Sequence, residues 1–491
     1  MPMSALPHSS KHPACFYTTA RPDLPGNIST LICISWIAEQ DVRATTTSKV
    51  HSDNRAGTSE LLQTSLSSLA EERPYLTGTV RRDMESSVRK GHLILDIPNP
   101  FEDLRIVFND LRGPKSQWKE TYQDLKDTGM PPHKLDANLL APLTAGIGET
   151  RKVMSVQANF IHGGLLIAFC FHHNFVDAYG AGRIIARFSE HCNGTVDLKN
   201  SADPEGDGTG SRGIADLLDV ELLKKQYKFE DLESDPNLWR LNCLEFRGVN
   251  DFRWPDFIPA LLPVRKPPVI SSMFSFSSDA LAEIKAMVQP SQSGAWVSTN
   301  DALVAFLWRH TMRARFPSSI TESEPPNRKS NVVVALDGRK DLSISPTYIG
   351  NCLFHCFTDL PINMVGSEST HLGDIAIRVR QTITAARNET LLKAVVGLAA
   401  THPDCQAIKY ANDNLGPDLY VTSWIDLPFY KLEWGPLGKA EFFRIPDRQF
   451  ESLCCILPPK DGVVQLITSM EEDHSKRLRS DAEFTRFATH R

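Results

Sequence analysis

The chain has 491 residues, 41% hydrophobic and 23% charged, with 53 Lys+Arg against 59 Asp+Glu and a formal charge of −6. That balance is typical of a globular protein; it excludes a dominantly disordered, collagen-like or coiled-coil chain, and there is no basic excess or stripe of the kind nucleic-acid binders carry. At roughly 150 residues per domain, the length predicts more than one hydrophobic core.

The longest apolar runs, 31–38 (LICISWIA) and 165–171 (LLIAFCF), fall far short of the ~20 residues of a transmembrane helix. The first lies behind Lys11, Arg21 and Asp23, too deep for a secretory signal core, so no membrane partner is expected. Ten cysteines without scaffold spacing predict reduced thiols and a cytoplasmic protein. Cys352, His355 and Cys356 lack the second ligand pair of an ordinary zinc site, and no metal is expected.

In chain order, residues 1–58 are poorly patterned, with 45–57 reading as a loop. Leu61, Leu62, Leu66 and Leu69 lie at helical spacing, predicting a helix that begins at Ser59 and ends at Arg73-Pro74. Strands follow near 76–82 and 91–97, and 113–150 reads as loops with short helices. The apolar segments 153–161 and 165–171, separated by His162-Gly163-Gly164, predict a hairpin. Ile184, Phe188 and Cys192 then mark a helix over 180–192. Ser, Asp, Pro and Gly crowd into a linker at 199–213, and five prolines make 255–268 a second irregular crossing.

Beyond it the spacing predicts a strand at 273–276, a helix at 279–288, and a helix at 299–315 capped by Thr299 or Asn300. A strand at 332–336 and a helix at 371–392 follow. Strands at 418–424, 452–457 and 463–469 precede a charged helix at 475–487. Strands alternate with helices in both halves, so the expected class is α/β or α+β with two similar-sized lobes. The divisions are a poorly patterned 1–58, an N-terminal lobe over 59–198, a linker and crossover over 199–268, and a C-terminal lobe over 269–491.

Gly208-Thr209-Gly210-Ser211-Arg212-Gly213 fits G-x-G-x-x-G, but a polar linker precedes it where a dinucleotide site needs a strand. The stronger signal is Phe171-His172-His173-Asn174-Phe175-Val176-Asp177-Ala178-Tyr179-Gly180. Two histidines close an apolar strand, and an imidazole with an ordinary pKa near 6.5 can serve there as a general base. The bland alternative is one packed histidine and one bonded to a backbone carbonyl. Further tracts follow: Ser298-Thr299-Asn300-Asp301, Leu336-Asp337-Gly338-Arg339, Tyr348-Ile349-Gly350-Asn351, Thr422-Ser423-Trp424 and Glu433-Trp434-Gly435.

In order and spacing these tracts resemble the BAHD acyltransferase superfamily, over about residues 59–485. The nearest likeness is to its fungal secondary-metabolite O-acetyltransferases, of the trichothecene 3-O-acetyltransferase and fumigaclavine B O-acetyltransferase types. The resemblance implies two chloramphenicol-acetyltransferase-like lobes with a substrate channel at their interface. It implies a monomer with no bound cofactor, in which acetyl-CoA or another acyl-CoA is the co-substrate and a small-molecule alcohol the acceptor.

By position, the resemblance makes His173 the general base and gives Asp177 a structural part in orienting the motif, with Arg339 its candidate partner. His172, Asn351, Ser423, Trp424 and Trp434 would line the channel, with His172 the more structural of the two histidines. Ser298, Thr299 and Asn300 would lie near CoA, although their first reading is a helix cap.

Three departures from the pattern stand out. Ala178 follows the Asp where the family has Gly, with Gly180 near enough to relieve the turn. The DFGWG tract is degenerate over 433–438. Residues 1–58 lack the family's first strand, so that 26–56 reads as an insertion or a gene-model error. Two other functions compete with O-acetyl transfer. HHxxxD also marks the amide-forming condensation domains of peptide synthetases, against which the DGR, YxGN and TSW tracts and the absence of a carrier domain argue. The degenerate 433–438 tract leaves room for a catalytically inactive small-molecule-binding relative.

Overall fold

The structure, a computed structural model, describes residues 12–13, 27–35, 55–83, 92–98, 103–141, 150–196, 244–246, 268–288, 296–317, 328–401, 408–410, 417–447 and 451–491. The linker at 199–213, its glycine motif and the proline-rich 255–267 lie outside the described residues. The chain forms two compact units: Met1–Leu217 with Pro346–Asn351 and Leu427–Asp447, and Leu218–Ser345 with Cys352–Asp426 and Arg448–Arg491.

In the first unit a five-stranded sheet runs in the order Phe442–Arg444, Asn27–Ser35, Gly164–His172, Met154–Ile161, Val107–Asp110. The predicted hairpin is its centre. Every residue of Gly164–His172 is buried, because both faces of this strand are covered. Gly163 turns the hairpin at φ 81°, and a Cβ on Gly164 would lie 2.0 Å from the Tyr122 ring. The apolar run that begins at Leu31 falls in a strand: Asn27–Ser35 pairs antiparallel with Gly164–His172 over its whole length. The sequence reading that denied this region a first strand is therefore corrected.

Helices Arg55–Glu72 and Ala178–Asn193 pack together, joined by Glu72, which accepts from Arg187 Nε and contacts His191 Nε2, both at 2.9 Å. The first helix starts one turn earlier than Ser59. It gives way to a 3-10 turn over Pro74–Thr77, so the strand predicted from 76 begins at Thr79.

The second unit is built on a seven-stranded sheet ordered Leu353–Pro361, Lys329–Asp337, Leu419–Ser423, Leu453–Ile456, Val463–Glu471, Val269–Ser277, Thr489–His490. Helix Thr299–Arg315 is buried almost throughout, with Trp308 donating to Ser330 Oγ at 2.8 Å. Its cap is Ser298, not Thr299 or Asn300: Ser298 Oγ accepts from the Asp301 N–H and Asp301 answers to the Ser298 N–H, a reciprocal capping box.

Two predicted helices are each divided. The one at 371–392 breaks into Leu372–Ala386 and Glu389–Thr401, because Asn388 Oδ1 accepts from the Leu391 N–H and restarts the chain. The one at 475–487 becomes Glu472–Ser480 and Ala482–Phe487, with the Asp481 carboxylate capping the second. The mixed helix-and-sheet class holds for both units.

Candidate active site

His172 and His173 sit where the central strand of the first unit ends, and they have different surroundings. His172 is buried. Its carbonyl accepts from the N–H groups of Phe175 and Val176, and its Nδ1 accepts from the Asn174 N–H at 3.2 Å. Those bonds form the bend out of the strand, so His172 has a structural part. The His173 side chain keeps partial exposure, yet its Nδ1 is enclosed with no hydrogen-bond partner. Burial holds its imidazole below the ordinary pKa, against the opposing pull of its own carbonyl and the Asp177 charge.

Asp177 is buried and caps helix Ala178–Asn193, its Oδ1 accepting from the Gly180 N–H at 2.8 Å. A carboxylate here also meets the positive end of the helix dipole. Asp177→Ala should cost about 0.5–2 kcal/mol of stability, whereas Asp177→Asn, whose amide oxygen caps as well, should cost little. Thermal melts of the two variants check this, and an alanine variant that melts with the wild type removes the capping role.

Gly180 does something other than relieve a turn, since it is not among the glycines with positive φ. A Cβ there would lie 1.8 Å from the Ile349 carbonyl oxygen, so the helix start packs directly on the Tyr348-Ile349-Gly350-Asn351 tract. Asn351 is buried in the same turn, and its Nδ2 donates to the His173 carbonyl oxygen at 2.5 Å. Two tracts that are separate in sequence thus meet at one place in the first unit. Sequence reasoning listed Asn351 and Gly180 without linking them, since spacing along the chain carries no sign of that contact.

Trp434 is fully buried, edge-on to Phe188 at 5.7 Å and tilted against Phe169 at 6.1 Å, with its Nε1 unpartnered. It packs in the core of the first unit. Gly435 follows at φ 58°, where a Cβ would lie 2.3 Å from the Cys192 carbonyl oxygen. The degenerate tract therefore keeps the glycine that its backbone requires.

The remaining predicted residues belong to the second unit. Arg339 is buried, and its Nη1 donates to Asp337 Oδ1 at 2.8 Å. Ser298 is committed to its capping box, with Thr299 and Asn300 following in the first helical turn. Ser423 is exposed at a strand end, and the Trp424 N–H donates to the Ile456 carbonyl at 2.8 Å.

Cys352, His355 and Cys356 form no ligand set among the described residues. His355 meets the Tyr420 hydroxyl, and burial pushes the Cys356 thiol up to about 12. Ligand atoms of Glu451, Glu471 and His474 do lie within 4.8 Å of one another, but Arg315 Nη2, 3.8 Å from Glu451, already brings positive charge there.

The whole-chain fold is shared with solved proteins, as a fold alone. It superposes on Fusarium sporotrichioides TRI101 complexed with coenzyme A and T-2 with a TM-score of 0.75 at 24% identity, covering 96% of this chain and 97% of that one. Vinorine synthase gives a TM-score of 0.60 at 16% identity, covering 99% and 95%. The likeness fixes the fold, a mixed helix-and-sheet chain of two compact units.

Residues 44–192 match the trichothecene 3-O-acetyltransferase-like N-terminal domain, and residues 264–485 match the Transferase family. Eremophilane O-acetyltransferase ORF8 of Penicillium roqueforti (strain FM164) is 97% identical over 442 residues, 90% of this chain and 94% of that protein. Trichothecene 3-O-acetyltransferase TRI101 of Fusarium sporotrichioides is 27% identical over 442 residues, 87% of this chain and 88% of that protein. The chain belongs to the Transferase family, in its trichothecene 3-O-acetyltransferase-like branch, and is an acyl-CoA-dependent O-acetyltransferase.

Proposed function

We propose that the chain transfers the acetyl group of acetyl-CoA to a hydroxyl of an eremophilane, with His173 as general base. The observation that carries the acceptor is the 97% identity to eremophilane O-acetyltransferase ORF8. The base is supported by a partly enclosed imidazole just past the end of the central strand, held below its ordinary pKa by burial. His173 Nε2 takes the proton as the acceptor oxygen attacks the thioester carbonyl; the C–S bond then breaks, and the imidazolium returns that proton to the departing sulfur, so that CoA leaves as the thiol and the base is regenerated. An alcohol is a poor nucleophile until its proton is being removed, which is the need a positioned imidazole meets.

Transfer is direct, in a ternary complex, by a cytoplasmic monomer; the lobes expected over 59–198 and 269–491 are not continuous in sequence, since Pro346–Asn351 and Leu427–Asp447 belong to the first unit. Among the described residues no helix is long and apolar enough to cross a membrane. In this reading Asp177 shapes the His173 loop within the first unit, and Ser298, Thr299 and Asn300 of the second unit lie toward CoA. The test is thiol release from acetyl-CoA with hydroxylated eremophilanes beside other terpenoid, polyketide and alkaloid alcohols, with product masses read. An eremophilane gaining one acetyl group is expected. Turnover confined to another skeleton, or transfer only from a carrier protein, overturns the assignment.

A further inference from the structure

The carbonyl of His173 lies in a gap of the regular structure. The strand ends at His172 and the next helix begins at Ala178, so neither ladder supplies a donor for it. Buried backbone carbonyls find partners, and the donor here is a side-chain amide from residue 351, delivered by a turn 178 residues further along the chain. Little besides the carbonyl of its own residue acts on the ring. Its Nδ1 is enclosed and unpartnered, and the Asp177 carboxylate is engaged with the Gly180 N–H. A catalytic histidine is commonly oriented by a carboxylate on Nδ1, and among the described residues none bonds to this one. The direction of the imidazole is then set by the backbone of residue 173.

That backbone is gripped from one side by a single short turn. Asn351 holds the carbonyl at 173, and two residues earlier Ile349 presses its own carbonyl against Gly180. The turn therefore brackets the whole His-to-Asp loop, at its first residue and just past its last. Asn351 is itself buried, so its amide is not free to swing away.

Resting on the reading of His173 as the base, we infer that Asn351 is a positioning residue for the reaction, setting the imidazole of His173 through the carbonyl of that residue. The Asn351 amide is engaged with a backbone carbonyl, so the part assigned to it is indirect. Its effect passes through residue 173, so it must vanish when the imidazole is gone, and it must fall on turnover rather than on acyl-CoA binding.

The experiment is a double-mutant cycle. Asn351→Ala and Asn351→Asp are made in the wild-type and His173→Ala backgrounds, with acetyl-CoA and a hydroxylated eremophilane as probes, and the melting temperature of each protein is recorded. The aspartate variant keeps the side-chain volume while losing the donor, which covers the case in which the alanine variant does not fold.

In the wild-type background each folded variant is expected to lose about 10- to 10²-fold in kcat, the scale of a displaced catalytic group, with KM for acetyl-CoA nearly unchanged. In the His173→Ala background the same substitutions should cost less than about two-fold, because groups that act as a unit are non-additive. Equal losses in both backgrounds, or a loss confined to KM, overturn the positioning role while leaving the base in place. Full activity of His173→Ala on its own overturns the base first and this inference with it.

Discussion

His173→Ala is expected to lower turnover by about 10²–10⁴-fold, the usual share of general acid–base catalysis, with the protein still folded. The side chain is partly exposed and makes no hydrogen bond through Nδ1, so its removal deletes no bond of the fold. His172→Ala is the contrast. That imidazole accepts from the Asn174 N–H inside the bend, and its loss should lower the melting temperature first.

The pH profile supplies a second, independent readout. Burial holds the His173 pKa below its ordinary 6.5, which favours the neutral ring and the lone pair that a base needs. As pH falls, the ring protonates only beneath its ordinary range. The acid limb of kcat/KM should therefore lie below pH 6.5 and be missing from the residual activity of His173→Ala. Near-normal turnover in that variant, or an acid limb at or above pH 6.5, removes His173 as the base.

What the sequence shows of this site follows from how local each feature is. The hairpin and the helix beyond it were legible because their signals lie within a few residues: Gly163 between two apolar runs, then Asp177 before Ile184 and Phe188 at helical spacing. The strand Asn27–Ser35 was not legible. Its pairing partners begin at Gly164 and Phe442, and an apolar run amid unpatterned sequence does not name the strand it will join. Helix breaks at Asn388 and Asp481 were missed because apolar periodicity runs on through a polar residue that can restart the chain by capping.

The grip of the 349–351 turn on the His173 loop was illegible for a different reason. It consists of one amide, one carbonyl and the absence of a Cβ, and none of these leaves a periodic trace. By residue type Gly350 and Asn351 of the YxGN tract read as a turn, and only the family resemblance sets that turn beside a channel. Its physical content, a donor for the His173 carbonyl and a surface against Gly180, needed coordinates.

Gly180→Ala gives the second large effect, and its sign tests that surface. Inside a helix, Gly→Ala ordinarily stabilises by about 0.5–1 kcal/mol, because alanine loses less backbone entropy on folding. Here the new Cβ would lie 1.8 Å from the Ile349 carbonyl oxygen and 2.8 Å from its carbon. Both are backbone atoms with no rotamer to move into, so the turn must shift by roughly an ångström, and overpacking of that kind costs about 1–3 kcal/mol. The clash outweighs the propensity gain. A displaced 349–351 turn also carries Asn351 off the His173 carbonyl, and misplacement on that scale costs about 10²-fold in rate.

Gly182→Ala is the matched control, the same substitution two residues along the same helix. Its Cβ would meet the end of the Leu427 side chain at 3.1 Å, which can give way. There the propensity term should win, leaving stability equal or slightly higher and turnover near wild type. Thermal melts and kcat for the pair decide the matter. A Gly180→Ala protein that melts at or above the wild-type temperature with unchanged kcat would show that the turn yields without cost and has no hold on the base.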